Sequence, residues 1–125
     1  MACGCGNDNQ RLLYSCSGAA NTGFLADQVW RKLKASGLGA GTCLAAVGAD
    51  LSGFLSSARE VKENIVIDGC AVSCGKKIFE NKGLNCTQYV ITDFGVEKGK
   101  MEITQEIIDR VTAEIQQKIE AGAGR

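Results

Sequence analysis

Apolar residues in this chain fall in short runs separated by small and polar stretches, and the runs switch between two periods. Leu12-Leu13-Tyr14-Ser15-Cys16 and Ile65-Val66-Ile67 are compact and bounded by turn residues, the pattern of buried strands. Between them, Phe24 to Ala35 carries Leu25, Val29 and Leu33 on one face with Ala26 and Trp30 alongside, a helical spacing. The glycines of Ser36-Gly37-Leu38-Gly39-Ala40-Gly41 stop that helix. Thr42 to Val47 reads as a second strand, and Phe54 to Val61 as a short helix anchored by Phe54, Leu55 and Ala58. A helix from about Val72 to Lys82 follows the third strand and stops at Gly83-Leu84-Asn85. Tyr89-Val90-Ile91 is the fourth strand, turning at Thr92-Asp93-Phe94-Gly95. The last helix, from about Gln105 to Ala121, turns Ile107, Ile108, Val111, Ile115 and Ile119 inward.

Four strands alternating with helices predict an α/β fold: a single three-layer domain with a mostly parallel four-stranded sheet, wound in a Rossmann-like or flavodoxin-like manner. The domain is expected over residues 11–121. Residues 1–10 read as a flexible lead-in, and Gly122-Ala123-Gly124-Arg125 as a fraying tail.

A chain of 125 residues buries enough surface to fold without disulfides or a metal, so a metal here would serve a function. Fourteen basic and fourteen acidic residues cancel, which argues against a general electrostatic role on nucleic acid or anionic membrane. No apolar run approaches the roughly 20 residues of a membrane span, and no charged-then-apolar leader opens the chain, so the expected location is cytoplasmic. Seven cysteines, an odd number, in a chain of that location argue against a disulfide framework. The absence of histidine removes Ser-His-Asp and Cys-His machinery and mixed Cys/His zinc sites. Any metal must be held by thiolates, carboxylates and water.

Cys16 ends the first strand, Cys43 lies in the second, Cys70 follows the third, and Cys74 is one turn further on. The carboxyl-terminal edge of an open α/β sheet is where ligands bind, and these thiols can converge there. Metal ligation needs thiolate, which the start of a helix favours, and Cys70 and Cys74 sit at such a start. Lys76 and Lys77 are placed to offset the charge of a four-thiolate zinc site. Spacing alone leaves Cys43 open between ligand and small buried hydrophobe. Cys86 belongs to the opposite edge, and Cys3 and Cys5 are either a pair that reaches the site or part of an ordinary terminus.

The loop Cys16-Ser17-Gly18-Ala19-Ala20-Asn21-Thr22-Gly23 is either a tight turn or an anion cradle. It is not a Cys-x₅-Arg phosphatase loop, because Thr22 stands where arginine is needed. Nor is it a Gly-x₄-Gly-Lys loop, because Phe24 follows Gly23. Asp68 and Asp93 follow strands three and four. Each is a candidate ligand, ligand-orienting partner or general base, or simply a turn aspartate bonded to its own backbone.

Cys16-Ser17-Gly18, Cys43-Leu44-Ala45, Asp68-Gly69-Cys70 with Cys74, and Thr92-Asp93-Phe94-Gly95-Val96-Glu97-Lys98 occur in the order and setting of the DGC-domain family, and the chain resembles it over nearly all of residues 11 to 100. These are small prokaryotic proteins named for the Asp-Gly-Cys motif and regarded as zinc-binding. The resemblance implies four family cysteines at Cys16, Cys43, Cys70 and Cys74, and so supports Cys43 as a ligand. Ala71 stands where the family often has proline, and Phe94 where leucine is frequent.

The expected function is Zn²⁺ binding through Cys16, Cys43, Cys70 and Cys74. A metal-free thiol redox or sulfur-transfer protein using Cys70 and Cys74 is the alternative, and an iron–sulfur cluster ranks third. No substrate, reaction or protein partner is named by the residues.

Overall fold

The structure, a computed structural model, describes residues 10–122. Residues 1–9 of the expected lead-in, with Cys3 and Cys5, and the last three residues of the expected tail lie outside the described residues. Strand β1 (Arg11–Ser15) leads into helix α1 (Asn21–Ala35), then β2 (Ala40–Gly41), α2 (Leu44–Gly48) and α3 (Ser52–Glu60). Strand β3 (Glu63–Asp68), helix α4 (Cys74–Asn81), strand β4 (Thr87–Val90), a 3₁₀ turn (Ile91–Phe94) and helix α5 (Gln105–Glu120) complete the chain. All strand pairs are parallel, in the order β2-β1-β3-β4.

Period-two alternation in the strands builds a core on each side of the sheet. Leu13, Ile65, Ile67 and Tyr89 face α1 and α5, where Leu25, Val29, Leu33, Val111 and Ile115 close the first core. Leu12, Tyr14 and Val66 face the other way, against Leu44, Val47, Ala58 and Phe79. Tyr14 and Phe79 meet edge to face at 5.0 Å between ring centroids. Leu25, Leu33, Ile65, Ile115 and Phe79 have no measurable exposure. Each such burial stabilises by about 1.5–3 kcal/mol.

The second core also holds a polar link. Tyr14 donates to Asn64 Oδ1 at 2.9 Å, and Asn64 Nδ2 donates to the carbonyls of Ala58 and Asn85. One buried amide thereby ties β1, the end of α3 and the approach to β4.

The segment expected as a second strand is different. Thr42 to Val47 is not a strand: pairing stops at Gly41, and Leu44–Gly48 is helical. Leu44 and Val47, three apart, turn inward while Ala45 stays exposed. A short apolar run does not reveal its period, and alanine-rich sequence favours the helix. Smaller shifts occur at helix starts: α1 begins at Asn21 and α4 at Cys74.

Strand order 2-1-3-4 has a topological switch between β1 and β3, since the chain leaves β1 toward one side of the sheet and β3 toward the other. The loops after these two strands carry Cys16 and Gly69-Cys70. Crevices at such switches are the ligand sites of doubly wound sheets.

Candidate functional site

Asp68, Gly69 and Cys70 have three separate physical tasks. Asp68, the last residue of β3, is 1% exposed, and its carboxylate accepts from the N–H groups of Gly75 (2.8 Å) and Lys76 (3.1 Å). It thus caps α4, which has no cap from its own flanking residue Ser73, and its negative charge lies at the positive end of the helix. Gln88 Nε2 donates to both Asp68 Oδ2 and Ser73 Oγ at 2.8 Å. Asp68 is therefore committed to holding backbone, a longer-range version of the turn-aspartate alternative. Asp93 is exposed in the 3₁₀ turn and lines a separate groove with Glu114 and Lys118.

Gly69 is required by close approach. A Cβ there would stand 2.8 Å from the carbonyl carbon and oxygen of Thr22, at the start of α1. That approach lets the Gly69 N–H donate to Cys16 Sγ at 3.3 Å, bridging the two sides of the switch. Burial pushes the Cys16 thiol up, and hydrogen bonds from Gly18 and Gly69 recover only part of the shift.

Cys70 faces a cation: Lys98 Nζ donates to its sulfur at 3.4 Å. Asn21 sets up this contact. Its Nδ2 donates to the carbonyls of Glu97 and Met101, and its Oδ1 accepts from the Gly99 N–H at 2.6 Å, clamping the segment that carries Lys98. The Thr92–Lys98 stretch thus belongs to the site through its last residue.

Three thiols line an open groove of about 610 Å³. Cys16, Cys43 and Cys74 line it together with Trp30, Arg31 and Lys34 of α1. Cys43, expected inside a strand, instead immediately precedes α2, at the carboxyl-terminal edge where the other thiols lie. Cys43 and Cys74 are exposed, and Cys16 and Cys70 are half-buried. Cys86 lines a different groove with Asn64 and Asn85, and burial there pushes its thiol up to about 11. Among the described residues, no group of three or more Cys, Asp or Glu side chains is in position to hold a metal ion. The donors suit a soft cation in kind, while their spacing is open.

Ser17 and Ser73, each next to a site cysteine, have left-handed backbones with φ of 49° and 60°. Such conformations cost non-glycine residues of order 1–3 kcal/mol and cluster at functional sites. Sequence reasoning gave no role to Gln88 or to Arg31 and Lys34, whose local sequence does not distinguish them from ordinary polar residues of a strand or helix, and it met Lys98 only as the end of the Thr92–Lys98 family motif. Lys76 and Lys77, expected to offset thiolate charge, do not line the groove.

Fold and site together define an all-parallel α/β domain with thiols gathered at its topological switch. The family model described as the DGC domain matches residues 12–115, and the chain belongs to that family. It is 33% identical over 70 residues to the anaerobic and virulence modulator AnvM of Pseudomonas aeruginosa. That match covers 56% of this chain and 53% of the relative, so the chain spans about half the relative's length. No solved structure gives a significant match. Among the described residues, no helix is long and apolar enough to cross a membrane.

Proposed function

We propose that this protein binds Zn²⁺ through the thiols of Cys16, Cys43, Cys70 and Cys74. The observation that carries this reading is that Cys16, Cys43 and Cys74, from three separate segments, line one groove, with Cys70 next to the residue that bonds Cys16. Soft thiolates suit zinc. Because the thiols are spaced openly, binding of a metal by all four requires them to draw together. With all four engaged, the site is closed and serves storage, transfer or structure. With Cys70 left on Lys98, three thiolates leave an open position.

Elemental mass spectrometry on anaerobically purified protein, with an absorption spectrum on the same sample, tests this. One zinc per chain and no visible colour is expected. Cys70→Ser should cut the zinc content sharply while Cys86→Ser preserves it, and equal effects would sink the assignment. Iron with visible absorption would replace zinc by an iron–sulfur cluster.

The Lys98–Cys70 contact favours a second reading, a thiol redox site in which Cys74 resolves an oxidised Cys70. The name of the Pseudomonas relative, an anaerobic and virulence modulator, accords with a site that answers to oxidant supply. A Cys70–Cys74 disulfide forming under mild peroxide treatment of zinc-free protein is its test.

A further inference from the structure

Cys70 carries an amine against its sulfur, at a Nζ to Sγ distance of 3.4 Å from Lys98. The backbone on both sides of Lys98 is held. Asn21 binds the Glu97 and Met101 carbonyls and the Gly99 N–H, and the Glu97 N–H donates to Met101 Sδ at 3.3 Å. On the other side of the contact, the Cys70 carbonyl accepts from the Ser73 N–H at 3.1 Å, closing the turn that carries the sulfur. Lys98 makes no ion pair among the described residues, so no carboxylate there competes with the sulfur for its amine. Cys70 is half-buried, open to a small oxidant, and is not among the residues lining the groove of Cys16, Cys43 and Cys74. The amine is therefore the nucleophile already in place beside this sulfur, and such preset contact favours an intramolecular step.

We propose that Lys98 captures oxidised Cys70 in a reversible sulfur–nitrogen bond, a sulfenamide. This rests on the redox reading of Cys70 and gives its sulfur a captor other than Cys74. The oxidant is a hydroperoxide. Cys70 sulfur attacks it, the S–O bond forms, the O–O bond breaks, and the departing oxygen takes the thiol proton and leaves as water or an alcohol. Sulfur loses two electrons and the peroxide gains them. The neutral Lys98 amine then attacks the sulfenic sulfur. The N–S bond forms, the S–O bond breaks, and the hydroxide takes a nitrogen proton and leaves as water, with no further oxidant consumed. Sulfenic acids condense with nitrogen as well as with thiols, and the link keeps Cys70 from irreversible sulfinic acid. An added thiol reverses it, first forming a disulfide with Cys70 as the amine regains its proton, then releasing the free cysteine by exchange.

The experiment treats zinc-free protein with hydrogen peroxide, digests it at glutamate without reduction and maps the peptides by mass spectrometry. Cleavage after Glu63, Glu80, Glu97 and Glu102 separates residues 64–80, which carry Cys70, from residues 98–102, which carry Lys98 and no cysteine. A joined species of these two segments is therefore no disulfide. In the wild type they should travel together, lighter by two hydrogens than their sum, and dithiothreitol should part them. Cys74→Ser removes the competing captor and should raise the yield. In that background Lys98→Gln should abolish the joined species and send Cys70 to sulfinic acid, while Lys100→Gln preserves it. Asn21→Ala, which frees the segment but keeps both reacting atoms, should lower the yield. A Cys70 that reaches sulfinic acid or a Cys74 disulfide in the wild type with no joined species would overturn the proposal and leave the redox reading standing. A joined species that retains an oxygen would overturn the direct bond. A Cys70 untouched by peroxide would defeat the redox reading and the proposal with it.

Discussion

The carboxylate of Asp68 accepts a 2.8 Å hydrogen bond from the N–H of Gly75, seven residues further along the chain. This bond joins the end of β3 to the start of α4 and fixes where Cys74 emerges. A Cβ on Gly75 would lie 2.8 Å from that carboxylate and 2.5 Å from Val66 Cγ1. The aspartate of the family motif is thus a helix anchor, and the glycine after Cys74 is the space that lets it work.

Asp68→Asn keeps the shape but puts an amide N–H₂ where a backbone N–H must be accepted. Loss of a buried, charge-assisted cap should destabilise the protein by about 2–3 kcal/mol. Urea unfolding followed by circular dichroism checks the value, and an unchanged midpoint would show that the cap contributes little.

Gly75→Ala tests the close approach itself. The extra methyl meets a β-strand side chain and a buried carboxylate, and overpacking of this kind costs about 1–3 kcal/mol. Gly53→Ala, at a site with nothing within 4 Å, should be neutral or slightly stabilising in the same assay.

The Asn21 clamp predicts a local effect without global unfolding. Asn21→Ala removes three hydrogen bonds from the segment between Glu97 and Met101. Amide exchange at Gly99 should rise by an order of magnitude or more while β1 and β3 stay protected. Alkylation of Cys70 should change as Lys98 is released.

Thiol reactivity should follow exposure. Cys43 and Cys74 are exposed and should be alkylated first in zinc-free protein. Cys16 is half-buried with its thiol pushed up by burial, so its alkylation should need a pH above that of an ordinary thiol. Cys86, pushed up to about 11, should be modified last. Peptide mass spectrometry over a time course gives the order.

Stability should fall at alkaline pH. Burial raises Cys86 in the folded state from 9.0 to about 11, so the fold favours its neutral form. That contribution is complete below 9.0 and is lost as pH rises toward about 11. Tyr14, raised mainly by burial, adds a further loss above its ordinary value of 10.0. Cys86→Ser should flatten the earlier part of the decline. Tyr14→Phe removes the later part but strands the Asn64 acceptor, costing about 1–3 kcal/mol at neutral pH.

The amino-acid sequence by itself determined the layered α/β architecture. Leu12 to Tyr14 and Ile65 to Ile67 alternate between two cores, while Leu25, Val29 and Leu33 repeat at helical spacing, and such periods are local properties of the chain. It also determined that Cys16, Cys70 and Cys74 follow strand ends, and through motif order the family. The run from Thr42 to Val47 was not legible, because a few apolar residues carry too little period to separate strand from helix. Only tertiary structure decided that Cys43 reaches the groove, that Asp68 anchors a helix, and that Asn21 brings Lys98 to Cys70 from far along the chain. The cationic wall of Arg31 and Lys34 is likewise an outcome of packing α1 beside the switch between β1 and β3. Apart from the Asp68 anchor, which spans seven residues, these are contacts between segments distant in sequence, set by strand order and close backbone approach, and no local pattern encodes which distant segment will arrive.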